Sequence, residues 1–381
     1  MKILVSVNEL NVRGGTHKQV LRLCEYLSKE NEVTIYTTIY DKEKTYPGFD
    51  KFKIITFTEE EKKKLKLLKK VRNKLHKIKF YQKLVEEFDI INIHDDIGMM
   101  AFVAKKKNKK VVFQINDMPK FFLQGVATGQ KDTIKNRLKR FKFRKTIQYV
   151  DEITVNVSKN REVVKKCLNR EAHVFYCGVD VNKQLTRHVK VHNNQTIHLF
   201  SSGVFFPYRN YETLVKVVNK LVKNGISVHL DIMGSVDLDK EYATSIKKMV
   251  RDMKLENYIT IWGQVDEEKY IELHDNADIF LFININQSWG LAVFEAMSCG
   301  LPVIISESVG AIELLKDKEN AIIVDPENVE EIYNEIIKLK EDENYYATIS
   351  NYAYAIVKKF TWDNLYSSKM LALFEKIEKE K

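Results

Sequence analysis

Short apolar runs rich in β-branched residues alternate with helix-like segments along almost the whole chain. This alternation predicts parallel strands joined by helices that cover both faces of a sheet. The predicted strands are 3–7, 33–37, 53–57, 90–93, 111–115, 153–157, 197–201, 228–233, 258–262, 279–283, 303–305 and 321–324. The predicted helices include 18–28, 211–223, 240–254 and 267–275. We therefore expect an α/β protein with two Rossmann-like domains, whose ligands bind beyond the carboxyl ends of the strands.

The length and the uneven charge of the chain also favour two domains. A chain of 381 residues suits two domains of ordinary size. Residues 1–190 hold 42 Lys and Arg against 22 Asp and Glu, a net charge of +20, and residues 191–381 hold 20 against 30, a net charge of −10. The polar stretch 182–196 is the predicted linker between domains at 1–185 and 186–360. The tail 361–381 is predicted to form one long helix.

The sequence favours a cytoplasmic protein. No apolar run approaches the ~18 residues that a membrane-spanning helix needs. The N-terminal residues 1–8 are typical of a first strand and are too short for the apolar part of a signal peptide. The four cysteines are scattered without the spacing of a metal site, which is typical of free thiols in a reducing compartment.

The segment 287–304 carries the most specific motif of the chain. It follows the apolar run 278–283, and it predicts a loop that opens a helix at Gly290 and a stop at Gly300-Leu-Pro302. Backbone N–H groups at a helix start favour anions, so phosphates suit this loop, and Glu295 lies within reach of a ribose diol. The alternative is a helix packed between two strands, with Glu295 on the surface.

This segment resembles the signature of the retaining glycosyltransferases of family 4 (GT4), in which two glutamates bracket seven other residues before a small-residue helix. The second glutamate is Glu295, whereas Gln287 occupies the position of the first. The resemblance covers nearly the whole chain and implies the GT-B fold, in which two Rossmann-like domains have parallel sheets that face each other across a cleft. It further implies an N-terminal acceptor-binding domain, a C-terminal nucleotide-sugar-binding domain, and a C-terminal helix that crosses back to the first domain.

The activity implied by the resemblance is transfer of a sugar from a UDP-sugar or GDP-sugar to an acceptor hydroxyl with retained anomeric configuration. The acceptor would be a carbohydrate or a lipid-linked molecule of polysaccharide or glycolipid biosynthesis. The residues implied to be catalytic are Asn116, Arg209 and Gln287. The residues implied to bind substrate are Gly14, Gly15, Gly203, Arg209, Gly263, Trp289, Gly290, Leu291 and Glu295.

Several of these positions depart from the family pattern. Val204 occupies the place of an arginine, Arg209 that of a lysine, and Asn116 that of a histidine. Asn116 can bind a sugar hydroxyl but cannot titrate, and Arg209 can bind phosphate through two donors. These departures leave open a second hypothesis, a non-catalytic protein that binds nucleotide or partners another transferase. An oxidoreductase lacks support, because Gly14-Gly15 does not make a GxGxxG fingerprint.

No obligatory metal is expected. His94-Asp95-Asp96 lacks further ligands at suitable spacing, and Asp237-Leu-Asp239 is better explained as an exposed loop with a helix cap at Asp239. The basic segments 62–83 and 131–145 are typical of a solvated face over a core stripe, of a helix on an anionic membrane or of a nucleic-acid contact, although no nucleic-acid module is visible. With the family resemblance we expect a peripheral membrane contact on the inner face of the membrane, and no nucleic-acid partner.

Overall fold

The computed structural model describes residues 1–57, 66–94, 97–123, 133–180, 196–287 and 289–380. The chain divides into two compact units. Unit 1 comprises Met1–Gly178 together with Trp362–Lys381, and unit 2 comprises Val179–Thr361. Most of the predicted linker 182–196 lies outside the described residues.

Unit 1 is built on seven parallel strands in the order β5-β3-β1-β6-β7-β8-β9. The strands of this part of the chain, including the separate pair β2 and β4, are β1 (Lys2–Ser6), β2 (Glu9–Leu10), β3 (Glu32–Thr37), β4 (Ile39–Tyr40), β5 (Lys53–Thr56), β6 (Ile90–His94), β7 (Lys110–Ile115), β8 (Glu152–Val155) and β9 (His173–Val174). The helices are α1 (Gly15–Leu27), α2 (Lys66–Glu86), α3 (Gly98–Lys106), α4 (Lys120–Leu123), α5 (Ile134–Ile147) and α6 (Ser158–Leu168).

The central strands of unit 1 are apolar along their whole length because helices cover both faces of the sheet. Every residue of β6 is buried, and so are all residues of β7 except its first. The six predicted strands of this half are confirmed to within two residues at each end. The prediction missed β2, β4 and β9, which have two residues each and are too short to give an alternating pattern.

Unit 2 is a six-stranded parallel sheet in the order β12-β11-β10-β13-β14-β15. Its strands are β10 (Ile197–Ser202), β11 (Val228–Met233), β12 (Ile259–Gly263), β13 (Ile279–Phe282), β14 (Val303–Ser306) and β15 (Ile322–Val324). Its helices are α7 (Tyr211–Lys223), α8 (Lys240–Asp252), α9 (Glu267–Asn276), α10 (Leu291–Ser298), α11 (Val329–Glu341) and α12 (Glu343–Val357). All six predicted strands and the three helices predicted in this half are confirmed.

Four helices of unit 2, which are α8, α9, α11 and α12, begin at capping side chains. Asp239 accepts a hydrogen bond from the backbone N–H of Tyr242 at 3.0 Å, which confirms the predicted cap. In α7 the residues Leu214, Val217, Val218 and Leu221 are fully buried. Their spacing of three and four residues is that of a helix whose single apolar face packs on a sheet.

The tail belongs to unit 1 and is helical from Trp362 to Lys379, but it is not one regular α-helix. Residues Asp363–Ser367 form a π-helical turn before α13 (Ser368–Lys379). The carbonyl of Asp363 accepts both the backbone N–H and, at 2.6 Å, the hydroxyl of Ser368. This pair of bonds across five residues accounts for the wider turn, which the sequence did not predict.

Within the described part of the chain, no helix is both long enough and apolar enough to cross a membrane. The four cysteines are free thiols, as predicted.

Candidate functional site

Three glycines end neighbouring strands of unit 2 and bring their backbones close together. Gly203 N–H bonds to Met233 O, and Gly234 N–H bonds to Gly263 O, both at 2.8 Å. A Cβ atom on Gly234 would lie 1.9 Å from Gly203 O, so no side chain fits there. All three have positive φ, at +153°, +146° and +71° in chain order, which favours glycine. The sequence analysis singled out Gly203 and Gly263 but not Gly234.

Gly203 also makes room for the guanidinium of Arg209. A Cβ atom on Gly203 would lie 2.4 Å from Arg209 Cζ. Arg209 ends a 3₁₀ turn, Pro207–Arg209, that leads into α7. Its guanidinium carbon lies 5.2 Å from the ring centre of Tyr208 and 5.6 Å from that of Phe282, within the range of cation–π contacts. The glycine and the two rings therefore fix the cation at the carboxyl end of β10.

The polar groups that contact Arg209 are neutral. Its Nη1 donates to Gln287 Oε1 at 3.3 Å, and Asn284 also bonds to Gln287. With its amide turned over, Asn284 would accept from the same Nη1 at 2.9 Å. Arg209 Nε is buried without a hydrogen-bond partner, and among the described residues Arg209 pairs with no carboxylate. No carboxylate in the described part of the chain therefore offsets the charge of this cation, and a buried donor is available to an anionic ligand.

The predicted loop and helix after β13 are present. Helix α10 follows Gly290, whose φ of −158° is open to any residue. Glycine is needed there for space, since a Cβ atom would lie 2.9 Å from Phe282 Cε1. Trp289 is buried, with its ring centre 5.3 Å from that of Phe294. No acidic side chain lies in the first turn, which contains Leu291, so the N–H groups there suit an anion.

The predicted stop of α10 is also confirmed. Gly300, with φ of +77°, donates its N–H to Met297 O at 3.0 Å, and Leu301 N–H reaches back to Ala296 O at 3.2 Å. These two bonds form a Schellman motif, and Pro302 then prevents the helix from continuing.

Glu295 lies one turn inside α10 and is partly buried. Its Oε2 accepts a hydrogen bond from the hydroxyl of Tyr270, in α9, at 2.8 Å. Tyr270 in turn packs edge-on against the ring of His274, with ring centres 4.3 Å apart. Burial lowers the pKa of His274 from its usual value, so its ring is neutral near pH 7. The sequence analysis missed Tyr270 and His274, because nothing in their spacing links α9 to α10.

Trp262 lies on the edge strand β12, next to Gly263, which the family resemblance implies to bind substrate. Its indole N–H donates to Asp231 at 2.7 Å, and the Lys269 ammonium lies 4.1 Å from the ring centre. The side chain is 41% exposed, so one part of the ring is open to solvent.

In unit 1, Gly14 and Gly15 lie where helix α1 starts. The predicted helix began at Lys18, but the structure begins it at Gly15, with Gly14 as its N-terminal cap. Glycine has a low helix propensity, which is why the sequence pattern placed the start too late. Thr16, in the first turn, accepts a hydrogen bond from Asn116 Nδ2 at 3.2 Å. This contact joins the start of α1 to the end of β7.

Asn116 belongs to a network of neutral side chains. Its Oδ1 accepts from Gln114 Nε2 and its backbone carbonyl accepts from Asn160 Nδ2, each at 3.2 Å. Asp117 is exposed in the bend that follows. The network fixes the amide of Asn116, whose catalytic role stays a prediction.

His94 ends β6 in the same unit and is fully buried. Burial, with a smaller contribution from the charge of His17, lowers the pKa of His94 to about 3. Its Nε2 lies 2.9 Å from Asn92 Oδ1, and its Nδ1 has no hydrogen-bond partner. The ring is therefore neutral at physiological pH. Asp95 and Asp96, named with it in the sequence motif, lie outside the described residues.

The described residues contain no group of three or more His, Cys, Asp or Glu side chains arranged to hold a metal ion. In the loop before α8, Asp237 pairs with Lys240 at 3.6 Å, and both side chains are 78% exposed. The segment Asp237-Leu-Asp239 is therefore an exposed loop that ends in a helix cap, as predicted.

Helix α5 carries an apolar stripe within a basic surface. Ile134, Leu138 and Phe141 follow each other at helical spacing and are 78%, 56% and 59% exposed. Phe143 faces the other way, with its ring centre 5.2 Å from that of Phe122. The basic residues of the helix are Lys135, Arg137, Lys139, Arg140, Lys142, Arg144 and Lys145. The side chains of 66–74 in the first basic segment, and residues 62–65, lie outside the described part of the chain.

The structure thus groups the predicted site residues in two places. In unit 2, Arg209 contacts both Gly203 and Gln287, and Gly234 lies between Gly203 and Gly263. The other predicted residues of this unit follow one another at the start of α10: Trp289, Gly290, Leu291 and Glu295. In unit 1, Gly14, Gly15 and Asn116 meet at the first turn of α1.

Comparison with known proteins identifies relatives for both halves of the chain. The sequence profile described as Glycosyltransferase Family 4 matches residues 13–183, and that of Glycosyl transferases group 1 matches residues 182–356. An uncharacterized glycosyltransferase of Methanocaldococcus jannaschii is 23% identical over 74% of this chain and 74% of its own length. Poly(glycerol-phosphate) alpha-glucosyltransferase of Bacillus subtilis is 29% identical over 45% of this chain, but the match spans only 24% of that protein.

Solved structures share the fold at low sequence identity. HepE of Anabaena, in complex with UDP and glucose, superimposes with a TM-score of 0.80 at 16% identity, covering 99% of this chain and 100% of that one. Sucrose-phosphate synthase of Thermosynechococcus elongatus gives 0.79 at 15% identity and covers both chains fully, at 100%. The chain therefore belongs to the family 4 glycosyltransferases (glycosyl transferases group 1) and has the GT-B fold of two Rossmann-like domains.

Proposed function

We propose that this protein is a retaining glycosyltransferase that moves a hexose from a UDP-sugar or GDP-sugar to the hydroxyl of a carbohydrate or lipid-linked acceptor. The observation that carries the proposal is the pairing of chemistries at the carboxyl ends of the unit 2 strands. Arg209 is held there as a cation that pairs with no carboxylate of the described residues, and Glu295 lies on the helix that follows β13. A cation for the diphosphate and a carboxylate for a ribose are what a nucleotide requires.

Each residue then has a chemical role. Arg209 and the backbone N–H groups at Gly290 and Leu291 stabilise the charge that develops on the leaving diphosphate. Glu295 accepts hydrogen bonds from the ribose hydroxyls. Gln287 binds hydroxyls of the donor sugar as a neutral amide, and Gly203 and Gly263 allow the backbone to approach the ligand.

Retention of configuration follows from a reaction on one face of the sugar. The leaving diphosphate takes the proton of the acceptor hydroxyl as the new glycosidic bond forms, so no side chain has to act as base. Asn116 suits this chemistry, because its amide can orient a hydroxyl but cannot accept a proton. Unit 1, with Gly14 and Gly15, would supply the acceptor-binding groups, and no obligatory metal is needed.

The named relatives support a nucleotide-sugar donor. HepE is described in complexes with UDP, with UDP and glucose, and with UDP-glucose. The relative from Bacillus subtilis is a poly(glycerol-phosphate) alpha-glucosyltransferase, and another relative is an O-antigen chain mannosyltransferase of Escherichia coli. The poly(glycerol-phosphate) and O-antigen chains named for these relatives support a role of this protein in cell-surface polysaccharide or glycolipid synthesis.

Calorimetric titration with UDP and GDP, together with a nucleotide-release assay over a panel of sugar donors and acceptors, tests the proposal. Wild type should bind one nucleotide and release it during turnover. Glu295→Ala should lower nucleotide affinity by about tenfold or more, because charged hydrogen bonds are lost. Glu256→Ala, at an exposed position of the same unit, is the matched control. Binding without turnover in any mixture would instead identify a non-catalytic nucleotide-binding protein.

We also propose that α5 brings the enzyme to an anionic membrane on the cytoplasmic side. The stripe of Ile134, Leu138 and Phe141 provides apolar side chains, and the cations of the same helix can contact acidic lipid headgroups. The three apolar side chains have no evident packing role within unit 1, because each is more than half exposed.

Vesicle sedimentation tests the membrane contact. Wild type should bind vesicles of phosphatidylglycerol but not of phosphatidylcholine, and binding should weaken as salt rises. Leu138→Ser with Phe141→Ser should reduce binding, whereas Tyr352→Ser, at an exposed position of unit 2, should not. If vesicle binding changes neither with salt nor with the double substitution, α5 is not the membrane contact.

A further inference from the structure

Tyr270 connects two helices at the carboxylate of the candidate site. It lies in the first turns of α9, and its hydroxyl donates to Glu295 Oε2, in α10, at 2.8 Å. A hydrogen bond from a neutral donor to a carboxylate is stronger than one between neutral groups. The phenol therefore restricts a side chain that otherwise has three rotatable bonds.

The ring of Tyr270 is itself held by the core of unit 2. It packs edge-on against His274, and His274 lies 4.8 Å from Phe200, measured between ring centres. His274 Nδ1 lies 2.9 Å from the backbone carbonyl of Tyr270, one helical turn earlier. His274 is 1% exposed, and its pKa is lowered by burial. A neutral imidazole packs against the Tyr270 ring without adding a cation that would compete with Tyr270 for Glu295.

We propose that Tyr270 is a positioning residue that aims the Glu295 carboxylate at a ribose diol, and that it thereby sets the preference of the site for ribose over 2′-deoxyribose. The inference rests on the proposed nucleotide site. A carboxylate has about four lone-pair sites, so it can accept the phenol and ribose hydroxyls together. Binding is tighter when the acceptor is already oriented, because less side-chain freedom is lost on binding.

Tyr270→Phe tests this role, since it removes one oxygen and keeps the ring against His274. The readout is calorimetric affinity for UDP and GDP and for their 2′-deoxy counterparts. In wild type, the ribonucleotide that binds should bind more tightly than its deoxy form. The substitution should weaken that ribonucleotide about three- to tenfold, as expected when one side chain must lose its freedom on binding, and weaken the deoxy form less, since that form keeps only one of the two hydroxyls. Discrimination between the two sugars should shrink accordingly.

The matched control is Tyr345→Phe. Tyr345 donates to Glu335 Oε2 at 3.1 Å, and it joins α12 to α11, which carry none of the proposed binding residues. The Tyr345→Phe substitution removes the same kind of hydrogen bond from the same unit, so it reports any general effect of that loss on stability. Thermal unfolding of both variants should be similar, and only Tyr270→Phe should alter sugar discrimination.

The outcomes separate this inference from the proposed function. Wild-type binding with unchanged discrimination in Tyr270→Phe overturns the role of Tyr270 and leaves the nucleotide site standing. Tighter ribonucleotide binding in the variant also overturns it, because Tyr270 would then compete with the ribose. Absence of binding of all four nucleotides to wild type removes both proposals.

Discussion

The carboxyl ends of the two sheets have the same parallel topology but different chemistry. In unit 2 three neighbouring strands end at or next to glycines, and the polar side chains that follow the strands include the cation of Arg209 and the carboxylate of Glu295. In unit 1 the central strands end in side chains that bond to each other, such as Gln114 with Asn116, and in a neutral His94. The strand ends of unit 2 therefore offer backbone groups and charged side chains, whereas Gln114, Asn116 and His94 of unit 1 offer neutral hydrogen-bonding groups.

This difference shows how one fold can serve two kinds of ligand. Positive φ and missing side chains let a ligand approach the backbone of unit 2, where a fixed charge can bind a diphosphate. Buried amides and a neutral imidazole bind hydroxyls without the cost of desolvating a charge. Under the proposed function, the anionic part of a donor would therefore bind to unit 2 and uncharged hydroxyls to unit 1.

The largest effect is expected at the backbone contact of unit 2. Gly234→Ala places a Cβ atom 1.9 Å from Gly203 O, so the two strand ends must separate. We expect a loss of more than about 3 kcal/mol in the free energy of unfolding, since both steric overlap and backbone strain contribute. Denaturant titration measures it.

Gly225→Ala is the control, because Gly225 has φ of +72° but a Cβ atom there meets nothing within 4 Å. It should lose only about 1–2 kcal/mol, the ordinary cost of a left-handed residue. Equal losses in the two variants would show that close backbone approach is not what distinguishes the edge of unit 2.

Gly234 also illustrates what the sequence could not predict. The strands, the helix start at Gly290 and the stop at Gly300 follow from local patterns of apolar, glycine and proline residues. The need for glycine at 234 arises from Gly203, which comes from another strand, and the contact of Tyr270 with Glu295 likewise joins separate helices. Such contacts depend on tertiary packing, so a local pattern contains no sign of them.

The second effect concerns charge. Arg209→Met keeps much of the apolar stem and removes the cation, so affinity for UDP or GDP should fall about a hundredfold, as expected when charged hydrogen bonds are lost. Asn160→Ala, which breaks a neutral bond to Asn116 in unit 1, should change that affinity by less than about twofold. Calorimetry at one salt concentration measures the nucleotide affinity of both variants.

Arg251→Met, at an exposed position in α8, controls for the loss of a positive charge from unit 2 as a whole. Comparable losses in Arg209→Met and Asn160→Ala would contradict the division between a charged edge and a neutral one.

The third effect is a pH dependence in unit 1. The pKa of His94 is about 3 in the folded protein, below its usual value of 6.5, so below pH 6.5 the unfolded chain binds a proton that the folded chain does not. Stability therefore falls as pH decreases from 6.5 towards 3. Between pH 7 and pH 5 this group should contribute a loss of about 2 kcal/mol.

His94→Gln should flatten the difference in unfolding free energy between pH 7 and pH 5, because glutamine does not titrate. His173→Gln is the control for removing a histidine from unit 1. Unlike His94, His173 is 40% exposed, and it bonds to Glu152 at 3.0 Å. If the unfolding free energy of His94→Gln depends on pH as that of wild type does, the imidazole of His94 gains its proton without cost in the folded state. His94 could then not be counted among the neutral groups of unit 1.

The smallest effect sharpens the role of the neutral groups around Arg209. Gln287→Glu places a carboxylate where the amide oxygen now lies 3.3 Å from Arg209 Nη1. The new ion pair would offset the cation and compete with a diphosphate, so affinity for UDP or GDP should fall about fivefold.

Asn351→Asp adds the same charge at an exposed position of α12 and should leave that affinity unchanged. Affinity is measured for the free diphosphate, because a glutamate at 287 could also contact a donor sugar. If Gln287→Glu binds UDP or GDP as tightly as wild type, the cation is not limiting, and the neutral amide must be explained by the sugar that it contacts. A fall in affinity that disappears at high salt would instead confirm that Gln287 preserves the charge of Arg209, since screening weakens the competing ion pair.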